Sequence, residues 1–332
     1  MREEISDIRF VIESIEKMIS IRFYYQLIIK PKMDRVSRNG LDLEHISDQS
    51  RQICLKAINN DPRALQFVKE QTKEICLQAV YRDGMCLKYV KDKNESICLA
   101  ALMQNGLALK YVENQTEEIC VTAIRQDPLS LEYVKEQTKD LCYLAVCMNG
   151  YAIEYVIERT DYLRLAAIEN TTYALGCMDD SEITEEIAIA AMRSNGGALY
   201  LIPNKTEAVC IAAVTEFPLV IREISEEMRT EAVCAIALDQ NGLFLQYIDN
   251  QTEAICMIAV KQNGLALKYV KNQTSEIAFA AINNPVFKHM GFGGKSVPLL
   301  DRLDYIRDQD LRDQVKQVIE GKRFLRTKSA KR

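Results

Sequence analysis

The stretch Asn114–Thr138, NQTEEICVTAIRQDPLSLEYVKEQT, returns at Asn250–Thr274 as NQTEAICMIAVKQNGLALKYVKNQT. Aligning every such return gives a period of 22 residues and eleven repeats, from Gln49 to about Gly291. We number each repeat from the residue before its capping Thr, so Gln115 and Gln251 are position one. Two-residue insertions, Ser181–Glu182 and Glu227–Met228, precede the seventh and ninth repeats.

Position two is Ser50, Thr72, Asn94, Thr116, Thr138, Thr160, Thr184, Thr206, Thr230, Thr252 and Thr274. Each is a helix N-cap residue, whose side-chain oxygen accepts from an orphan backbone N–H. Acidic residues follow within two positions in every repeat but the first, which suits the positive end of a helix. Positions five, six, seven, nine and ten are then apolar, so this first helix is mostly buried. Position nine is Ala in every repeat, from Ala57 through Ala123 to Ala281. A fixed small residue marks a close backbone approach, where a larger side chain costs about 1–3 kcal/mol.

Positions thirteen and fourteen read Asp-Pro or Asx-Gly, as in Asp127-Pro128 and Asn105-Gly106. Pro fixes φ near −65°, so a conformation shared by both versions is Asx as N-cap and Pro or Gly in the first turn of a second helix. That helix carries LALKYV-like residues, with positions sixteen, seventeen, nineteen and twenty facing inward. Each repeat is thus expected to hold two helices of about eight to ten residues, too short to persist alone in water. Stacking them buries a common core. The expected fold is all-α, an α-solenoid of about eleven two-helix repeats with helical caps. A leucine-rich repeat shares the period, but the regular caps, the repeated Ala and the acidic first turns favour helix.

The flanks extend this plan. Residues 3–29 read as an amphipathic helix stopping before Pro31, and Asn39–Asp48 as the second half of a repeat with His45 in the aromatic position. Residues 1–48 therefore form an N-terminal cap, 49–291 the array with divergent repeats over 159–228, 292–321 C-terminal capping helices, and 322–332 a basic disordered tail.

Composition bounds the function. Net charge is −5, which argues against a protein that mainly wraps nucleic acid. The apolar N-terminal window is broken by Glu13, Glu16, Lys17 and Arg22, so no membrane span is expected. No secretory leader is apparent. Cys54, Cys76, Cys98, Cys120, Cys142, Cys210, Cys234 and Cys256 all occupy position six. Equivalent atoms in stacked repeats lie roughly 10 Å apart, beyond the ~7 Å reach of a disulfide. Free thiols imply a reducing compartment, so the expected location is cytoplasmic, and the six Asn-x-Ser/Thr triplets are by-products of the repeat.

No catalytic or metal-binding pattern stands out, so no cofactor, metal or catalytic residue is assigned. The two histidines, His45 and His289, fall at the aromatic position. Gly291–Ser296, GFGGKS, resembles the end of a phosphate-binding loop but lacks the preceding Gly, His289 standing there. The Phe/Tyr ladder from Phe67 to Tyr269 reads as packing between repeats, with base stacking as an RNA-reading alternative.

In-phase Gln-Thr, Ile-Cys, Ala, Asn-Gly and Leu-x-Tyr-Val over residues 49–290 resemble the repeats of domain-of-unknown-function family 4116, found in mimivirus-like giant DNA viruses and some intracellular bacteria. The resemblance implies a viral or effector protein acting in a host cell, and carries over no functional residue. The reading is a non-enzymatic scaffold that binds another protein. A structural or virion-assembly role is the alternative, and an RNA-binding repeat or an enzyme is disfavoured. Position eighteen of the second helix varies in charge along the array, and the candidate partner-binding residues are Lys88, Lys110, Glu132, Glu154, Tyr200 and Arg222.

Overall fold

The computed structural model describes residues 14–285 and 303–329, with side chains to Glu320. The described residues contain helices and no strand. The chain divides into two compact parts, Met1–Arg159 and Thr160–Arg332. Each part is an all-α stack of two-helix repeats.

All eleven position-two residues cap a helix. Each accepts from the backbone N–H three residues on, as Thr116 does from Ile119 at 3.4 Å and Thr252 from Ile255 at 3.2 Å. Ten-residue α-helices follow, such as Glu117–Gln126 and Glu253–Gln262. Their buried residues fall at positions five, six, nine and ten, for example Ile119, Cys120, Ala123 and Ile124. All eleven position-nine alanines are fully buried.

The close approach is backbone to side-chain position. A Cβ on Gly106 would collide with the carbonyl oxygen of Ala123 in the next repeat and sit 3.0 Å from the Asp127 nitrogen. Gly84 bears the same relation to Ala101. The glycine N–H is also matched. Gly84 donates to Gln104 Oε1 at 2.6 Å, Gly242 to Gln262 at 2.7 Å and Gly40 to Asn60 Oδ1 at 2.6 Å. Where Pro62 and Pro128 offer no N–H, the next repeat carries Arg82 and Met148 instead.

The second helices differ from expectation. They are six-residue 3-10 helices, such as Gly106–Tyr111 and Pro128–Tyr133. The Asx cap is as expected, Asn105 accepting from Leu107 N–H at 3.0 Å. The apolar row explains the tighter winding. Gly106, Leu109 and Val112 are all buried and three residues apart, and side chains at i and i+3 eclipse in a 3-10 helix. An α-helix would rotate that row off the core. The aromatic position is half-buried rather than enclosed, at Tyr89, Tyr111, Tyr133 and Tyr155 alike.

The N-terminal helix also runs further than expected. It spans residues 14–24, widens into a π-turn at Tyr25–Ile29 and continues as Lys30–Arg38, through Pro31. Proline lacks the N–H that an α-turn would use, and a π-turn just before it is one way to carry a helix past such a break. His45 ends the 3-10 helix Gly40–His45 and is exposed, not packed. The insertions fold as extra 3-10 turns, Asp180–Glu182 and Glu226–Met228.

At the other end, Leu303 and Ile306 are buried and Asp308 caps Gln309–Ser329, accepting from Leu311 N–H at 2.8 Å. LDYIR over 303–307 thus stands in for the LKYVK of a repeat. The basic tail expected to be disordered from residue 322 is helical to Ser329. Lys and Arg are good helix formers and suit a helix C-terminus. His289 and the GFGGKS segment lie outside the described residues.

Candidate functional site: the second-helix face and the clamp between repeats

In the N-terminal part, Lys88, Lys110, Glu132 and Glu154 are all exposed on successive 3-10 helices. The lysines lie over the tyrosine ladder. Lys88 Nζ is 4.6 Å from the centre of the Tyr89 ring. Lys110 Nζ sits 5.1 Å from Tyr111 and 5.9 Å from Tyr133, so it reaches across two repeats. Its contacts with the ring faces are cation–π attractions, worth about 0.5–1 kcal/mol at an exposed site. Glu132 acts on the same ladder from the opposite sign. Its hydrogen bond with Tyr133 holds that phenol above its ordinary pKa. The face therefore carries a cationic half and an anionic half on one row of rings.

Tyr200 and Arg222 belong to the C-terminal part. Tyr200 is 64% exposed on Gly196–Leu201. Arg222 pairs with its neighbour Glu223 at 3.4 Å.

Position one holds a device that the sequence reading missed. Gln71 donates to the carbonyls of Leu65 at 3.2 Å and Tyr89 at 2.9 Å, and accepts from Lys91 N–H at 2.9 Å. One amide thus ties together the second helices of two adjacent repeats. Gln115 reaches Tyr133 O and Lys135 N, Gln137 reaches Tyr155 O and Ile157 N, and Gln251 reaches Tyr269 O and Lys271 N. Gln273 makes the same pair of bonds to Tyr305 and Arg307, joining the array to its C-terminal cap. The only sequence signal for this was the recurrence of Gln, because its partners are backbone atoms 18 and 20 residues away.

In repeats with Gln at position one, the position-six cysteine lies under the amide at Cys76, Cys120, Cys142 and Cys256. Cys76 Sγ is 3.8 Å from Gln71 Oε1 and Cys142 Sγ 3.6 Å from Gln137 Oε1. Burial pushes the position-six thiols up in pKa, Cys234 to about 11. Cys86, a buried residue of the second helix Gly84–Tyr89, rises to about 12 for the same reason, with Asp83 adding to it. Such thiols are poor nucleophiles at neutral pH. No cluster of His, Cys, Asp or Glu able to hold a metal occurs among the described residues. No described helix is long and apolar enough to cross a membrane.

Among the described residues of repeats one to five, the clamp is missing in the third. Lys93 stands at position one of the third repeat, and a cleft of about 450 Å³ opens there. It is lined by Lys93, Asn94, Cys98, Val112 and Glu113, among others.

Two consecutive repeats match a family model. Residues 72–116 match the model of Domain of unknown function (DUF4116). This segment belongs to domain-of-unknown-function family 4116. It covers two capped α-helices and the two second helices that follow them, which is the geometry of every regular repeat here. Comparisons with curated proteins and with solved structures returned no match.

Proposed function

We propose that the chain is a non-enzymatic scaffold that binds another protein through the second-helix face of its N-terminal part. The observation that carries this reading is the row of exposed position-eighteen side chains, cationic at Lys88 and Lys110 and anionic at Glu132 and Glu154. Core positions keep their chemistry from repeat to repeat, whereas this row changes sign. Complementary charge fixes register and partner choice more than raw affinity. The aromatic rings beneath supply apolar area for a partner's side chains. The family resemblance supports a viral or effector protein working in the cytoplasm of a host cell as part of the same reading.

The test compares affinity capture from host cells by the parent and by a variant with Lys88→Glu, Lys110→Glu, Glu132→Lys and Glu154→Lys together. A protein bound by the parent and lost by the folded variant supports the reading. Equal capture by both places the site elsewhere.

A further inference from the structure

Among the described residues of the N-terminal part, the repeats on either side of the third are closed by Gln71 and Gln115, and the third is not. In those neighbours one primary amide gives an N–H to the aromatic residue's carbonyl and takes an N–H from the residue two further on. The equivalent pair in the third repeat is the Tyr111 carbonyl and the Glu113 N–H, and no side chain among the described residues reaches either. Lys93 cannot replace the amide, because an ammonium has donors but no acceptor to offer Glu113. Cys98 Sγ, left without an amide oxygen, turns to the Lys93 carbonyl at 3.7 Å. The third repeat is thus left with one unmet backbone acceptor and one unmet backbone donor beside the cleft.

We propose that this cleft binds a primary carboxamide. Its oxygen accepts from the N–H of Glu113, a lining residue, and its NH₂ reaches the carbonyl of Tyr111, next in the chain to the lining residue Val112, as glutamine does in the adjoining repeats. The volume of about 450 Å³ leaves room for the group that bears the amide. A carboxylate fits worse because it has no N–H for the Tyr111 carbonyl; the charges lining the cleft, Lys91 and Lys93 against Glu95 and Glu113, balance and do not separate the two groups. The proposal is independent of the partner-binding reading.

The carboxamide can come from a glutamine side chain of a peptide or from a small aromatic amide. The full chain, labelled with ¹⁵N, is titrated separately with N-acetyl-glutamine N-methylamide, with nicotinamide, and with N-acetyl-glutamate N-methylamide. The expected result is a saturable shift of the Glu113 amide resonance with one of the two carboxamides, the tighter one naming the source. The glutamate compound should bind at least ten-fold more weakly. In Lys93→Gln, where the neighbouring repeats' residue fills the cleft, carboxamide binding should fall at least ten-fold while the melting temperature rises. No shift at Glu113 with either carboxamide, equal binding of the glutamate compound, or undiminished binding by Lys93→Gln would overturn the proposal.

Discussion

Repeats four and five on one side, and repeats six and nine on the other, solve the same problem with different chemistry. In the regular repeats a neutral amide bridges backbone groups, as Gln115 and Gln137 do. In repeats six and nine, each next to an inserted turn, charge takes over. Arg229 replaces Gln at position one and donates to Tyr247 O at 2.5 Å and to Ile221 O at 3.0 Å. It also pairs with Glu226, a residue of the inserted 3-10 turn. Arg164 replaces the position-six Cys and bonds Glu182 at 3.2 Å, again a residue of an inserted turn. Guanidinium donates but cannot accept, so Arg229 needs an acid that glutamine did not, and Arg164 one that cysteine did not. The insertions supply those acids. In the ninth repeat, what looks like drift in sequence is a coupled exchange of one clamp for another. The charged pairing is less complete, since Arg164 Nε and Glu226 Oε2 are buried without a partner.

The comparison can be broken first at its common element, the position-nine alanine. Ala123→Leu should cost about 1–3 kcal/mol by overpacking the contact with Gly106. Urea unfolding indistinguishable from the parent would mean that the helices do not approach there. The next effect in size separates the two clamps. Arg229→Gln restores the regular residue but leaves Glu226, which still accepts from Asp249 N–H, without its arginine, and should cost about 1–3 kcal/mol. Gln115→Arg is the mirror experiment and should cost a similar amount, because no acid of an inserted turn stands beside it. If either exchange is neutral in chemical denaturation, clamp and insertion are not coupled.

A smaller effect is expected from the thiols. Burial raises the Cys86 pKa from its ordinary value near 9 to about 12. Its contribution to stability is therefore complete below about pH 9 and lost as pH rises through about 12. Unfolding midpoints measured between pH 8 and pH 11 should fall less steeply in Cys86→Ala, which carries the residue found at the same position in Gly106–Tyr111 and Gly264–Tyr269. An identical slope would exclude the thiol as a cause.

Much of the fold was legible because it rests on side chains whose chemistry is local. A capping Thr satisfies an N–H three residues on, and Ala at a fixed interval signals crowding. Position fourteen was half legible. Asx-Gly was readable as a helix start, but the reason for Gly lies in the next repeat, at Ala123 and Gln126. The pairing of Gly84 with Gln104, against Pro128 with Met148, is visible in hindsight as a covariation between repeats. The 3-10 winding was not separated from an α-turn because six residues hold too little periodicity. The Gln clamp was invisible for a deeper reason, since backbone carbonyls and N–H groups leave no trace in a list of side chains. The vacancy at Lys93 could only be recognised once the clamp was known.

Amide hydrogen exchange on the native chain addresses that clamp most directly. Lys91, Glu113 and Lys135 occupy the same exposed position in three successive repeats, and only Glu113 lacks a glutamine acceptor. A hydrogen bond worth about 1–1.5 kcal/mol corresponds to roughly ten-fold in protection. The amides of Lys91 and Lys135 should exchange about ten-fold more slowly than that of Glu113, after correction for intrinsic rates. Equal protection at all three would contradict a clamp that holds neighbouring repeats together.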